Sequence, residues 1–212
     1  MLFLNRADAG RRLATRLTDL AGPDTIVLGL PRGGVPVALE VARALGAPLD
    51  VVVVRKLGSP LNPEYALGAI GAGRVRVVDE AAMRALGITA HEIDSIEVSE
   101  RAELERRIVR FRGTRAALDL AGKTAIVVDD GIATGSTARA ACLIVRKMGA
   151  SRIVLAIPVA PRDWIARIGD AADDLVCLET PAHFFAVGQW YSDFTQTTDV
   201  EVSAALAAAR FT

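Results

Sequence analysis

Short apolar runs alternate with amphipathic stretches along most of this 212-residue chain. Thr25–Leu30, Leu49–Val54, Lys123–Asp129, Arg152–Ile157 and Asp174–Leu178 carry Val, Ile and Leu at successive positions, so both faces of each run are apolar. That is the pattern of parallel strands covered on both sides. Helical spacing falls between them, near Val35–Leu45, Thr137–Met148 and Arg162–Ala171. A further helix begins at Asn5, with Leu13, Leu17 and Leu20 on one stripe, and Gly22-Pro23 breaks it. The alternation predicts an α/β fold: an open, mostly parallel five-stranded core sheet with helices on both faces.

One interval departs from this rhythm. After Arg55 comes a Pro/Asn-rich loop, Gly58–Pro63, then a hairpin pattern in which Leu67–Gly71 and Val75–Val78 flank Ala72-Gly73. Two helices follow, the second opened by Thr89-Ala90-His91-Glu92, a capping box in which two side chains satisfy each other's backbone donors. The interval, about residues 56–122, is expected to be an insertion covering one edge of the sheet, and about 181–212 a C-terminal hood. With no repeat, low-complexity tract or linker, residues 1–212 are expected to form one domain. Lys56–Gly71 admits two readings. It is a mobile lid carrying Lys56, Glu64 and Tyr65 to a site, or else Asn62–Gly71 packs permanently on the sheet edge, against this chain or a second subunit, through Leu67 and Ile70.

Composition narrows the function. Half the residues are hydrophobic, and 25 basic residues balance 25 acidic ones, which argues against a general nucleic-acid binder. No apolar stretch approaches the length of a membrane span, and a cytoplasmic location is expected. The two cysteines, Cys142 and Cys177, lie inside apolar patterns and are expected to be free thiols.

The chemistry concentrates in Thr124–Thr137, TAIVVDDGIATGST. An apolar strand ends in Asp129 and Asp130; Gly131, Ile132 and Ala133 follow, then the small turn Thr134-Gly135-Ser136-Thr137, where a helix begins. Open amides at a helix start attract anions, and Gly135 lets the backbone approach a phosphate. The carboxylates beside them suit ribose hydroxyls or Mg²⁺, a hard cation that prefers oxygen. The turn is not a Walker A loop, which needs a lysine absent here. Gly29–Gly34 is not G-x-G-x-x-G, since Pro31 replaces the second glycine.

TAIVVDDGIATGST resembles the motif of type I phosphoribosyltransferases that binds 5-phosphoribosyl 1-diphosphate (PRPP). The resemblance implies that Asp129 and Asp130 meet the ribose, that Ala133 through Thr137 hold the 5′-phosphate, and that Gly131 and Ile132 also belong to the PRPP-binding loop. Leu30-Pro31-Arg32-Gly33-Gly34 resembles that family's pyrophosphate loop, which implies an unusual backbone with a cis peptide before Arg32. Val54-Arg55-Lys56 resembles the basic segment leading into the mobile loop of orotate and adenine enzymes. Phe184-Phe185-Ala186-Val187-Gly188-Gln189-Trp190-Tyr191-Ser192-Asp193 is similar to the hood of hypoxanthine–guanine enzymes. That implies a base stacked on Phe184, Phe185, Trp190 or Tyr191, and Asp193 joining Asp129 and Asp130 at Mg²⁺. Ala133 stands where those enzymes carry an aspartate, as adenine enzymes do. The combination of PRGG, VRKLG, NPE and FxAVGxWY segments is similar to that of a bacterial group of phosphoribosyltransferase-like proteins whose substrate the family name does not settle.

The implied reaction moves ribosyl 5-phosphate from PRPP to a nitrogenous base, purine-like by preference, with diphosphate released. Asp129, Asp130, Lys56 and Arg32 would carry catalysis, and Mg²⁺ would be the cofactor. The alternative is a PRPP- or nucleotide-sensing regulator that keeps the pocket without transfer. A dinucleotide oxidoreductase is the third reading, without its glycine fingerprint. The expected partners are PRPP and a small base, neither nucleic acid nor membrane, in a homo-oligomer such as a dimer.

Overall fold

A computed structural model describes residues 2–60, 62 and 65–209. Five strands build the core sheet: β1 (Thr25–Gly29), β2 (Leu49–Val51), β6 (Thr124–Val128), β7 (Arg152–Val159) and β8 (Asp174–Glu179). All are parallel, in the order β2-β1-β6-β7-β8. Side chains alternate faces along each strand. Val27, Ile126, Val128, Val154 and Ala156 therefore enter one core, with Leu13 of α1 (Arg6–Ala14) and Val37 and Val41 of α2 (Gly34–Leu45). Ile26, Leu28, Val127, Ile153 and Leu155 enter the other, with Ala141, Cys142 and Val145 of α5 (Ser136–Lys147) and Trp164 and Ile168 of α6 (Trp164–Ile168). β1, β6 and β7 are thus strands buried on both sides, as the sequence predicts, whereas the edge strand β8 is only half-buried along its whole length. Both cysteines are free, and burial pushes the Cys142 thiol up to about 12.

The expected strand Leu49–Val54 divides. Its first half is the edge strand β2, whereas Val54 opens β3 (Val54–Gly58) of a second sheet, with β4 (Ala66–Gly71) and β5 (Arg76–Val78) antiparallel in the order β3-β4-β5. Arg55 and Lys56 consequently lie on a hairpin rather than at a core-strand end. Leu57, Leu67 and Ile70 are fully buried, and a methyl at Gly71 would meet Ile144 of α5 at 2.2 Å. The packed reading of Lys56–Gly71 therefore holds for both strands. The lid reading has only the turn between them left, and Glu64 lies outside the described residues.

The rest of the insertion is α3 (Glu80–Leu86) and α4 (Ala90–Arg112). The capping box forms: the Glu92 amide donates to Thr89 Oγ1 at 3.3 Å and the Thr89 amide to Glu92 Oε2 at 2.8 Å. At its far end α4 anchors to the edge strand, where buried Arg112 donates to Asp50 at 2.8 Å and to the Val51 carbonyl at 2.9 Å. A last helix, α7 (Asp199–Ala208), was not expected; Thr198 and Glu201 form a second capping box before it. Among the described residues no helix is long and apolar enough to cross a membrane.

Candidate active site

β1 sends its connection to β2 on one side, and β6 sends its connection to β7 on the other. The crevice beyond the carboxyl ends of these two neighbouring strands is where such sheets take ligands. Two loops meet there.

The first follows β1. The Leu30 amide donates to the Val128 carbonyl at 2.8 Å, tying the loop to the neighbouring strand, and the Pro31–Arg32 peptide is cis. Gly33 caps α2 with ordinary backbone angles, so its freedom is not what the fold uses. Space is. A methyl at Gly33 would lie 2.0 Å from Asp130 Oδ2, and one at Gly34 would lie 2.6 Å from the Val128 carbonyl and 2.8 Å from Asp129 Cα. Two glycines therefore let this loop close against the acidic pair. The N–H groups of Arg32 and Gly33 meet no acceptor among the described residues. The Arg32 side chain, by contrast, pairs with Asp199 at 3.6 Å and lines a cavity of about 570 Å³ with Arg106, Arg107 and Arg110. In this arrangement its guanidinium faces Asp199 at the start of α7.

The second loop follows β6. The Ile132 amide donates to the Val159 carbonyl at 3.0 Å, and Gly135 caps α5 at φ 82° without a side-chain cap. The N–H groups of Ala133, Thr134, Gly135, Ser136 and Thr137 find no acceptor among the described residues, as at any uncapped helix start. Thr134 and Ser136 bring their hydroxyls within 3.2 Å of each other, and Arg167 steadies the loop through the Ala133 carbonyl at 2.9 Å. One short loop thus presents five open amides and two hydroxyls.

The carboxylates stand between the loops. Asp129 Oδ1 accepts from the Asp130 amide at 2.9 Å, and Asp130 Oδ2 accepts from Arg6 Nε at 2.8 Å. Hydrogen bonds within the protein use those two oxygens and leave the second oxygen of each carboxylate for a ligand. Burial, with the Asp130 charge adjacent, holds the Asp129 carboxyl well above the usual carboxylate range. Burial raises Asp130 too, while the Arg6 hydrogen bond and charge oppose it.

Arg6 escaped the sequence reading because its partner lies 124 residues away. Its side chain also donates to the Thr195 carbonyl at 2.8 Å and stacks 4.0 Å over the Phe194 ring. The hood thereby joins the site in a way its aromatic pattern did not suggest. Tyr191 is buried between Phe3 and Phe194 and donates its hydroxyl to the Asp130 carbonyl at 2.5 Å. Phe184 and Trp190 pack on the small Phe3–Val159–Tyr191 cluster. Phe185 alone of the four expected stacking residues is open, 86% exposed. Tyr191 thus anchors the acidic loop and two of its neighbours pack the hood, which leaves Phe185 as the open ring of the four.

Arg55 of β3 does not point to the loops in this arrangement but pairs with Glu100 of α4 at 2.5 Å. Nor do Asp129, Asp130 and Asp193 gather. Asp193 accepts from the amide and hydroxyl of Thr195 at 2.9 and 2.6 Å, and among the described residues no three His, Cys, Asp or Glu side chains group as a metal site. With Asp193 held by Thr195 and Asp130 Oδ2 taken by Arg6, the three carboxylates do not form a joint Mg²⁺ site in this arrangement.

Comparison with known proteins agrees with this architecture. Residues 3–193 match the model of the phosphoribosyl transferase domain. The chain is 55% identical over 205 residues to a Mycobacterium tuberculosis protein provisionally named a phosphoribosyl transferase, covering 97% of this chain and 46% of that one. It thus spans about half the length of the curated relatives it matches. An adenine phosphoribosyltransferase of Kineococcus radiotolerans is 44% identical over 75 residues, 32% of this chain and 40% of its own. The crystal structure of the protein TT1426 from Thermus thermophilus superposes with a TM-score of 0.90 at 42% identity, covering 98% of this chain and 99% of that one. With the family model matching from Phe3 to Asp193, across both loops and into the hood, this chain belongs to the phosphoribosyl transferase domain family.

Proposed function

We propose that the crevice binds PRPP and transfers its ribosyl 5-phosphate to a nitrogenous base, releasing diphosphate. One observation carries this reading. A cradle of open amides at 133–137, two carboxylates each with one oxygen to spare, and the open amides of Arg32 and Gly33 converge at the switch point of the sheet. Phosphate, vicinal diol and diphosphate each find a complementary surface, in that order along one crevice.

In this reading the C1–O bond to diphosphate breaks ahead of C1–N bond formation, the ribose ring carries positive charge between the two events, and the base nitrogen gives up its proton to the departing diphosphate or to solvent. Asp129 and Asp130 fix the two ring hydroxyls and face that charge with their own. The 133–137 amides hold the far end of the substrate, so the reacting carbon stays in place while its bonds change. Open amides of the first loop take up negative charge on the departing diphosphate. Mg²⁺ belongs here as the counter-ion of the diphosphate, carried in with the substrate. A purine-like acceptor is favoured by the stretch shared with the adenine enzyme and by Ala133, which offers no carboxylate to exchange a proton with a 6-oxopurine.

Calorimetry with PRPP tests the binding half. The Asp129→Asn/Asp130→Asn double variant should bind at least tenfold more weakly, about 1.4 kcal/mol. Unchanged affinity in a folded variant would remove the ribose role. Diphosphate release measured across a panel of bases tests the transfer half. PRPP binding without release for any base would leave the sensor reading in its place.

A further inference from the structure

A second feature of the acidic pair is independent of the motif that suggested it. Arg6 enters the site from a part of the chain with no resemblance to a phosphate loop, and everything around it fixes its position. Residues 3 and 4 run alongside the hood: the Phe3 amide donates to the Trp190 carbonyl at 2.8 Å, the Ser192 amide to the Phe3 carbonyl at 2.7 Å, and the Asp193 amide to the Leu4 carbonyl at 2.9 Å. Asn5 then starts α1 by accepting from the Asp8 amide at 2.9 Å. Arg6, the first residue of that helix, is held at three points: Asp130 Oδ2, the Thr195 carbonyl and the face of Phe194. Its side chain is 11% exposed and that of Asp130 15%. A guanidinium held this way is a fixed part of the site, because leaving would strand a buried carboxylate beside another one.

We propose that Arg6 is a positioning residue that serves the acidic pair as its resident cation. It turns Asp130 so that Oδ1 faces the ribose, and it occupies the oxygen a divalent ion would need to bridge the two carboxylates. The proposal rests on the reading of the crevice as a PRPP site and adds to it. A pair of adjacent carboxylates without a cation would be a cation trap, filled by whatever divalent ion was at hand. With a built-in arginine, the ligand-free site rejects free metal yet keeps one open oxygen on each carboxylate for a hydroxyl. The same contact links two halves of the crevice. Thr195 and Phe194 belong to the hood, and Tyr191 holds the Asp130 carbonyl from the same side, so a displacement of the hood is felt directly at the ribose carboxylates.

Two readouts test this. Mn²⁺ binding to the ligand-free protein is followed by the loss of its free-ion paramagnetic resonance signal, and PRPP affinity is measured by calorimetry. Wild type should take up no Mn²⁺ at millimolar concentration. Arg6→Ala should gain a Mn²⁺ site and lose at least tenfold in PRPP affinity. Arg6→Lys, which restores the charge without the planar three-point contact, should again exclude Mn²⁺ and recover part of that affinity. Arg6→Gln keeps the length and some hydrogen bonds without charge, and serves if alanine unfolds the junction; it should behave as alanine does. Mn²⁺ bound by wild type, or an Arg6 variant with neither metal gain nor loss of PRPP affinity, overturns the proposal. The metal arm uses no PRPP. If wild type bound no PRPP, the transferase reading would fail while the cation role of Arg6 remained legible from Mn²⁺ alone.

Discussion

Two carboxylates in this chain are each met by an arginine from a distant segment, and the fold treats them differently. At the sheet edge both oxygens of Asp50 are engaged. Oδ1 accepts from the Val51 amide at 2.7 Å and Arg112 Nε at 2.8 Å, and Oδ2 from the Leu118 amide at 3.2 Å. At the crevice Asp130 accepts from Arg6 through one oxygen only, and its neighbour Asp129 is likewise half used. A buried charge kept for architecture is given donors on both oxygens, because each missing one costs free energy. A charge kept for a ligand is left short by the number of bonds the ligand will supply. The contrast separates structural from functional carboxylates where burial alone would not.

The most severe way to break that comparison is at the architectural end. Arg112→Ala removes the guanidinium that pairs with Asp50 at 2.8 Å and leaves that buried carboxylate short of a charged donor. Stability should fall by about 3–5 kcal/mol, read from the denaturant midpoint. The loss should exceed that of any single change at the crevice, since Arg112 also pins α4 to the edge strand through the Val51 carbonyl. A loss below about 1 kcal/mol would mean the amides suffice and the comparison fails.

How far the sequence foretold all this follows the same division. The central strands β1, β6 and β7 were legible because burial on both faces leaves an unbroken run of apolar residues. The acidic loop was legible because its chemistry is local: strand end, carboxylates, glycine and hydroxyls are neighbours in sequence. The split at Val54 was not, because Leu49–Val54 reads as one apolar run and only the change of sheet partners divides it. Nor was Arg6, whose partners Asp130, Phe194 and Thr195 are brought near by topology. The helix α7 had a readable signal in Thr198-Asp199-Val200-Glu201, the same capping pattern that located α4. The hood aromatics were not sorted by sequence for a physical reason: an aromatic that packs a lid and one that stacks on a ligand have the same composition and differ only in exposure.

Gly34→Ala tests the closeness of the two loops. Its methyl would meet backbone, the Val128 carbonyl at 2.6 Å and Asp129 Cα at 2.8 Å, and backbone gives way poorly. A loss of about 1–3 kcal/mol is expected, with weaker PRPP binding as the loop backs away from the acidic pair. Full stability with full affinity would show that the loops need not touch.

A smaller effect, of opposite sign, is expected at Asp129. Burial beside Asp130 raises its folded-state pKa, so ionisation is harder in the folded chain than in the unfolded one. Such a group favours folding most at low pH, and its contribution is lost as pH rises through the carboxylate range to the elevated native value. Asp129→Asn keeps an acceptor for the Asp130 amide and removes that slope. The variant should match wild type near pH 3, melt higher at pH 8, and bind PRPP worse. A variant less stable than wild type at pH 8 would show that Asp129 is as well satisfied as Asp50.

The finest test separates aromatic residues within the hood. Phe185 is 86% exposed and lies outside the cluster formed by Phe3, Tyr191, Phe184 and Trp190, so its removal takes little apolar area out of the core. Phe185→Ala should change stability by less than about 0.5 kcal/mol. If the open ring receives the acceptor, the same change should raise the KM for the base by an amount within the ~1–3 kcal/mol typical of base–aromatic stacking, with the KM for PRPP unmoved. Tyr191→Ala is the counterpart. It deletes a buried ring and the hydroxyl that holds the Asp130 carbonyl, so stability and PRPP affinity should fall together. A Phe185 variant with unchanged kinetics toward every base would place the acceptor on another face of the crevice. A Tyr191 variant that lost base selectivity while keeping its stability and PRPP affinity would restore the stacking role to the buried ring. The pair of outcomes decides whether exposure is the right criterion for telling a ligand platform from a packed lid.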